Sequence, residues 1–253
     1  MDRITSRQNP IIRQLRALGR ERSAREEAGL FVCDGEKLLR EAISGGARID
    51  TVLWAETPAV PSPCGVRQYT APAELVAYVS ALSHSPGPVF TVAMEPKPLP
   101  ERLSRVIVLD TVQDPGNVGT VLRTANALGM DAVLLTGACA DLYHPKTVRA
   151  TMGAIFRLPV LELAPEKVRE LLSEQKLPLY GAALSPKAKD LRAISLSRAA
   201  VAIGSEGQGL SRAVLDLCDG ELIIPMRPEA ESLNAAVAAS VIMWEMARGG
   251  EAL

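Results

Sequence analysis

The stretch that decides the fold runs from residue 105 to residue 137 and consists of RVIVLD, TVQDPGNVGTVLRTANALGM and DAVLLTG in turn. Its first segment is a continuous apolar run, which is typical of a strand buried on both faces in a parallel sheet. The middle segment predicts a helix from about Val118 to Leu128 that Gly129 closes. The last segment predicts another buried strand. This order of elements favours a parallel α/β fold.

The same alternation continues toward the C-terminus. Three further segments predict helices, three predict strands, and an alanine-rich stretch of high helix propensity predicts the last helix. The helices are predicted at 145–151, 165–175 and 209–217, the strands at 179–184, 199–204 and 221–225, and the last helix at 233–248. We therefore predict an α/β domain with a mostly parallel sheet.

The N-terminal region predicts a smaller α/β unit. Its helices are expected at 10–22, 36–43 and 72–82, and its strands at 30–35, 51–56, 65–69 and 88–95. Pro96, Pro98 and Pro100 follow, and a stretch so rich in proline continues neither a helix nor a central strand. The sequence thus predicts a first domain at 1–95, a linker at 96–103 and a second domain at 104–253.

Composition narrows the class of protein. Hydrophobic residues make up 47% and charged residues 23% of the chain, as in a soluble globular protein. Aromatic residues make up only 4%, which argues against base stacking as the main way of holding a nucleic acid. The net charge is −1, yet the first 25 residues hold seven arginines. Among these, Arg13, Arg16 and Arg20 are candidates for RNA phosphate contacts, and a solvated helical face is the alternative.

Several classes of protein are disfavoured, namely metal-binding, secreted and membrane-spanning proteins. The four cysteines are far apart and form no CxxC pair, and only two histidines are present, so we predict no metal site. The N-terminus lacks the pattern of a secretory signal, and no apolar run approaches the roughly 20 residues of a membrane helix. We expect a cytoplasmic protein.

Three segments with chemistry-bearing residues follow predicted strands of the second domain. The first contains Asn117, a helix-capping residue type, and Arg123. The second, residues 203–211, has glycines that let a backbone approach a ligand closely, together with Glu206. Its spacing matches neither a dinucleotide fingerprint nor a P-loop. The third contains Ser232 and Asn234, both capping types, before a helix rich in alanine.

Each segment taken alone also fits an ordinary helix cap, a glycine-rich turn or a solvated side chain. Taken together they predict more, because the carboxyl ends of parallel strands lie along one edge of a sheet. Three such strand ends with polar or glycine-rich turns predict one convergent cleft.

The segments NVGTVLR (117–123), IGSEGQGL (203–210) and IPM (224–226) with SLNAAVA (232–238) resemble, in order and spacing, the three motifs of the SpoU/TrmH family of RNA ribose 2′-O-methyltransferases. The resemblance extends from about residue 105 to residue 248, and residues 143–154 resemble a stretch between the first two motifs. The N-terminal region is similar to the ribosomal-protein-like substrate-binding domain of many members.

The resemblance implies an α/β fold with helices on both faces of the sheet and a C-terminal trefoil knot, a rare exception to the rule against threaded chains. It also implies S-adenosylmethionine as methyl donor, RNA as substrate, no metal, and a homodimer whose active sites draw on both chains. The implied catalytic residues are Arg123, Asn117, Glu206, Ser232 and Asn234. The implied cofactor-binding residues are Gly204, Glu206, Gly207, Ile224, Met226, Leu233 and Asn234.

Other functions stay open at this stage. A non-catalytic RNA-binding or ribosome assembly factor on the same scaffold is one, although the intact motif residues argue against it. A nicotinamide oxidoreductase is another, and the missing dinucleotide fingerprint disfavours it. Within the favoured reading ribosomal RNA is the preferred substrate and transfer RNA the alternative.

Overall fold

The computed structural model describes residues 1–55, 57–58, 60–61, 63–81, 87–227, 229 and 232–248. The chain forms two compact units. The first comprises residues 1–95 together with 141–156, and the second comprises residues 96–140 and the chain from 157 onward. No helix within the described ranges is long and apolar enough to cross a membrane.

The elements up to residue 95 alternate as the sequence predicts. They are β1 (Asp2–Arg3), α1 (Pro10–Arg20), α2 (Arg22–Ala28), β2 (Leu30–Asp34), α3 (Glu36–Ser44), β3 (Ile49–Trp54), β4 (Arg67–Thr70), α4 (Ala73–Val79) and β5 (Val89–Ala93). The predicted first helix ends at Arg20, because Glu21 has extended backbone angles, and the short elements β1 and α2 were not predicted.

The remaining elements contain every strand and helix predicted for the second half, with bounds that differ by a few residues in most of them. They are β6 (Arg105–Asp110), α5 (Pro115–Ala127), β7 (Ala132–Thr136), α6 (Pro145–Ala150), β8 (Val160–Glu162), α7 (Pro165–Glu174), β9 (Leu179–Ala182), β10 (Lys189–Asp190), β11 (Ala199–Ile203), α8 (Arg212–Leu215), β12 (Gly220–Ile223) and α9 (Ala235–Arg248). The short strands β8 and β10 were not predicted, because two or three residues carry no periodic signal.

The smaller sheet has the strand order β1-β4-β3-β5-β2 in the part of the chain that is described. Strand β5 is antiparallel to both of its neighbours, and the other pairings are parallel. Helix α1 buries Ile12, Leu15 and Leu18 in a core that also contains Val32 and Leu53. This is the apolar face that the helical spacing of residues 10–22 predicts.

Residues 141–156 fold with the first unit, although they follow the first motif in sequence and fall inside the predicted second domain. Val148 and Phe156 are buried in the same core as Phe31. The carboxylate of Asp141 also pairs with Arg25, whose side chain is buried. Burial of these apolar side chains explains why the compact units are discontinuous in sequence.

The larger sheet has the order β10-β12-β9-β11-β6-β7-β8 within the described residues, and all of its pairings are parallel. Val106 and Val108 of β6 pack with residues of α7 and α8. The alternate residues Ile107 and Leu109 point to the other face and are also buried, and α9 contacts β6 and packs against α5. The predicted α/β fold with a mostly parallel sheet is therefore confirmed. The knot stays a prediction.

Two details of the fold determine where the motifs lie. Strands β6 and β11 are direct neighbours in register, with Ile107 opposite Val201. Their carboxyl ends, which carry the first and second motifs, are therefore adjacent. Helix α5 begins at Pro115 and not near Val118, because Asp114 is the cap and its side chain accepts a hydrogen bond from the Asn117 backbone N–H at 2.9 Å.

Candidate active site

The carboxylate of Glu206 is the point at which the three motifs meet. Its Oε1 atom accepts hydrogen bonds from Asn117 Nδ2 at 2.7 Å, from Asn234 Nδ2, and from the Ala235 backbone N–H at 3.3 Å. Asn234 Nδ2 also donates to Asn117 Oδ1 at 3.2 Å. Hydrogen bonds to a carboxylate acceptor are stronger than those between neutral groups, so this network holds the three motifs together.

Asn234 has two separate roles in this network. Its Oδ1 atom accepts from the backbone N–H groups of Ala236 and Val237 at 3.0 and 3.2 Å, which makes it the cap of α9. Its Nδ2 group is left to donate to the first and second motifs. Oδ1 therefore carries the capping role that the residue type predicts, and Nδ2 links the third motif to the other two.

The glycine-rich loop is closed by its own backbone. Ser205 and Gly209 exchange two backbone hydrogen bonds, at 3.1 and 2.9 Å. A Cβ atom at position 204 would lie 2.0 Å from the carbonyl carbon of Gly209, so only glycine fits there. The loop is also held to the end of β6, because Asp110 Oδ2 accepts from the Ser211 backbone N–H at 2.6 Å.

Beside this network lies a cleft of about 760 Å³. Most of the predicted cofactor-binding residues line it. They are Gly204, Glu206, Gly207, Ile224, Met226 and Leu233, together with Ser232 from the predicted catalytic set. Asn117, Arg123 and Asn234 are not among the lining residues, although Asn117 and Asn234 bond to Glu206 at its edge.

The cleft fits S-adenosylmethionine in size and in chemistry. Its volume lies in the range of about 300–1,000 Å³ that small-molecule sites occupy. Its walls combine apolar side chains, such as Leu210 and Leu222, with the exposed backbone of the glycine-rich loop. Glu221 also lines it, and its Oε2 atom is buried without a hydrogen-bond partner among the described residues. An unsatisfied acceptor of this kind suits a hydroxyl or ammonium group of a ligand.

Sequence reasoning missed Glu221, Lys187 and Arg212 as lining residues. No local signal marks Lys187 or Arg212, which lie in stretches with ordinary surface composition. Glu221 carried a signal that was available, namely an acidic residue at the start of an otherwise apolar strand.

Arg123 lies away from the cleft. It is exposed on α5, in a shallow pocket that it shares with Leu128, directly after α5, and with Val241 and Trp244 of α9. Six residues of an α-helix turn through about 600°, so Arg123 and Asn117 point in different directions. The structure thus brings Asn117, Glu206 and Asn234 together and leaves Arg123 outside that group.

The three candidate RNA-binding arginines lie on α1 in different environments. Arg13 and Arg20 are exposed. Arg16 is half-buried, with its guanidinium 3.7 Å from the centroid of the Tyr78 ring, and its Nη1 group donates to the Tyr78 carbonyl oxygen at 2.9 Å. A cation over an aromatic face in this geometry is an attractive contact.

The sequence model of the SpoU rRNA Methylase family matches residues 104–244, and that of the MRM3-like substrate binding domain matches residues 9–83. An uncharacterized tRNA/rRNA methyltransferase of Synechocystis is 34% identical, and the match covers 97% of this chain and 93% of that protein. The 23S rRNA (guanosine(2553)-2′-O)-methyltransferase RlmP of Bacillus subtilis is 31% identical, with 97% and 99% covered.

Solved structures of similar proteins agree over nearly the whole chain. The AdoMet-bound rRNA methyltransferase from Sinorhizobium meliloti has a TM-score of 0.87 and 28% identity, with 98% of this chain and 97% of that chain covered. The SpoU methyltransferase AviRb from Streptomyces viridochromogenes, in complex with AdoMet, has a TM-score of 0.86 and 28% identity, with 95% and 98% covered. The resemblance drawn from the three motifs is confirmed: the chain belongs to the SpoU rRNA methylase family, and it is a methyltransferase that uses S-adenosylmethionine.

Proposed function

We propose that this chain transfers a methyl group from S-adenosylmethionine to a ribose 2′-hydroxyl of ribosomal RNA. The observation that carries the proposal is the network in which Glu206 joins Asn117 and Asn234 beside the cleft. RlmP, whose name gives a 2′-O-methyltransferase of 23S rRNA, is similar over nearly the entire chain. Transfer RNA is the alternative substrate.

The residues that line the cleft are the ones that we assign to the cofactor. The backbone of Gly204 and Gly207 and the side chains of Ile224, Met226 and Leu233 would hold S-adenosylmethionine. When bound, this cofactor supplies a methyl group that its sulfonium charge has already activated. The remaining requirements fall on the protein, which must align the hydroxyl with the methyl group and accept the proton that leaves.

Glu206, Asn117 and Asn234 act as positioning residues in this proposal. The Glu206 carboxylate ties the cofactor loop to the start of α9 and to the first turn of α5. A loop held by several charge-assisted hydrogen bonds loses less freedom when a ligand binds, which raises affinity. Ser232 lines the cleft and faces the reacting groups in the family-implied arrangement.

Arg123 is assigned to the RNA. A guanidinium stays protonated in proteins, so it is a poor general base on its own. It is well suited to clamp the phosphate next to the reacting ribose, and through that phosphate it orients the 2′-hydroxyl.

The proposal includes a homodimer. Val237, Val241 and Trp244 lie three and four residues apart on α9 and form an exposed apolar stripe, and Trp244 keeps 62% of its surface exposed. Arg123 borders this stripe and lies outside the cleft of its own chain. A partner bound to the stripe would therefore lie next to Arg123, which agrees with an active site shared between two chains.

The proposal assigns RNA docking to residues 1–95 and catalysis to the part of the chain after the proline-rich linker. The match of residues 9–83 to a substrate binding domain supports this division. Arg13, Arg16 and Arg20 of α1 provide phosphate contacts in it. The knotted C-terminal fold and a cytoplasmic location belong to the same proposal.

The test is transfer of a tritiated methyl group from S-adenosylmethionine to unmodified ribosomal and transfer RNA. We expect label in ribosomal RNA at an alkali-resistant linkage, and we expect Arg123→Ala to remove most of the activity while cofactor affinity stays near that of the wild type. Arg102→Ala, an exposed arginine elsewhere in the same unit, is the control. Near-wild-type turnover of Arg123→Ala would refute its role, and a wild type that transfers no label and binds no cofactor would favour a non-catalytic assembly factor.

A further inference from the structure

A second cleft lies within the first compact unit, away from the residues assigned so far to the cofactor. Its volume is about 400 Å³. Helix α1 contributes Arg16 and Arg20, the end of α4 contributes Tyr78, and the segment at α6 contributes His144, Lys146 and Arg149. Four of its side chains are cationic, and none of its described lining residues is acidic.

The charged side chains that line this cleft are all positive. Some exposed arginines of the first unit pair with carboxylates, as Arg40 does with Glu36 and Arg67 with Asp50. Arg20 and Arg149, in contrast, have no ion-pair partner within the described ranges. Cationic side chains that line a concave surface repel one another and focus a positive potential outward. This arrangement stabilises a bound polyanion and does not stabilise the protein alone.

One cation of the cleft is fixed in place before any ligand binds. The Arg16 guanidinium is held by the Tyr78 ring and by the carbonyl oxygen of the same residue. The Arg7 guanidinium lies 4.5 Å from the centroid of the same ring. Preorganised groups bind with a smaller entropic penalty than free side chains do. Two guanidinium groups already contact the Tyr78 ring, so the cleft presents cations to a ligand more than an aromatic surface for stacking.

We propose that this cleft binds the phosphodiester backbone of RNA, with Lys146 and Arg149 as contact residues alongside Arg16 and Arg20. The inference rests on the proposed function, since it takes RNA as the substrate. It extends that function to a segment that follows the first motif in sequence. The contacts are to phosphates and not to bases, so the cleft positions RNA without reading its sequence.

The experiment removes two charges from the cleft and two from elsewhere in the same unit. The cleft variant is Lys146→Gln with Arg149→Gln, and the matched control is Lys37→Gln with Arg48→Gln, since all four side chains are exposed. Binding of a short labelled RNA hairpin of arbitrary sequence is measured by fluorescence anisotropy over a series of salt concentrations. S-adenosylmethionine affinity and methyl transfer to unmodified ribosomal RNA are measured with the same proteins.

We expect the cleft variant to bind the hairpin about 10- to 100-fold more weakly than the control at low salt. The plot of log affinity against log salt concentration should become shallower by about 1.5. Each lost phosphate contact reduces the magnitude of its negative slope by roughly 0.7–0.9. Cofactor affinity should not change. Should the double variant fold poorly, Arg20→Gln, from α1, tests the same cleft from its other wall.

The outcomes separate this inference from the proposed function. Equal affinity and equal salt slope in the cleft and control variants would overturn the inference, whether or not the wild type methylates RNA. If the wild type binds the hairpin through the cleft but transfers no methyl group to any RNA, the inference stands and the proposed function fails. A wild type without measurable affinity for RNA at low salt would overturn both.

Discussion

Asn234→Asp separates the two roles of a single side chain. Aspartate caps a helix as well as asparagine does, so the hydrogen bonds to the Ala236 and Val237 backbone should survive. The Nδ2 donor to Glu206 is lost, however, and a second carboxylate takes its place. The substitution should therefore leave α9 intact and release the loop that Glu206 holds.

The expected loss of cofactor affinity in Asn234→Asp follows from the distance between the two carboxylates. Two carboxylates about 4 Å apart repel by about 1 kcal/mol in water and about 4 kcal/mol at an effective dielectric constant of 20. Glu206 is exposed, so the repulsion lies near the lower value, at about 1–2 kcal/mol. Loss of the hydrogen bond adds about 1 kcal/mol. A total of about 2–3 kcal/mol corresponds to a decrease in cofactor affinity of about 30- to 150-fold.

Titration calorimetry with S-adenosylmethionine measures this decrease, and a thermal melt checks that the fold is retained. Asn234→Ser keeps a capping oxygen and removes the Nδ2 donor without adding charge, so cofactor affinity should fall by only about fivefold. Adding Glu206→Gln to Asn234→Asp supplies an amide donor opposite the new carboxylate and should recover much of the affinity. Wild-type affinity in Asn234→Asp, or no recovery in the double variant, would refute the role of Glu206 as the link between the motifs.

Three further predictions test other parts of the molecule. Trp244→Glu should convert a dimer to a monomer in light scattering with little loss of thermal stability, and an unchanged mass would exclude α9 as the interface. The side-chain hydrogen bonds from Arg169 hold the pKa of Asp219 below its usual value, so the pair stabilises the fold above about pH 4 and the benefit is lost as the pH falls through the lower folded-state pKa. Asp219→Asn should thus lower the free energy of unfolding by about 0.5–1 kcal/mol at neutral pH and by less in acid, as chemical denaturation would measure. Exposed Cys64 should react first with a thiol reagent and Cys33 last, because burial raises the pKa of the Cys33 thiol well above its usual value; early labelling of Cys33 would contradict its burial.

Much of the fold could be predicted because its signals are local. The run at 105–110 is apolar at every position but its ends, and the structure buries its central residues on both faces of a sheet. The arginine-rich helix α1 likewise shows its apolar face in the spacing of Ile12, Leu15 and Leu18. Patterns of this kind depend on a few neighbouring residues, so they can be recognised without knowing what packs against them.

The ends of the helices were less predictable, because more than one nearby residue can serve as the cap. Asn117 is a good capping residue, but Asp114 stands three residues earlier and is followed by Pro115, which suits the first turn of a helix. The local sequence allows both starts. The structure selects the earlier one and so frees the Asn117 side chain to bond with Glu206.

The sequence by itself determined the α/β class, the longer strands and helices, and the three motifs that identify a SpoU methyltransferase. Only the tertiary structure decided which motif residues meet: Asn117 and Glu206 are 89 residues apart and bond to each other, whereas Arg123, in the same helix as Asn117, points elsewhere. It also decided that Lys146 and Arg149 share a cleft with Arg16. The physical reason is that sequence patterns report preferences over one or two turns of chain. Contacts between distant segments depend on strand order and on which apolar side chains are buried together.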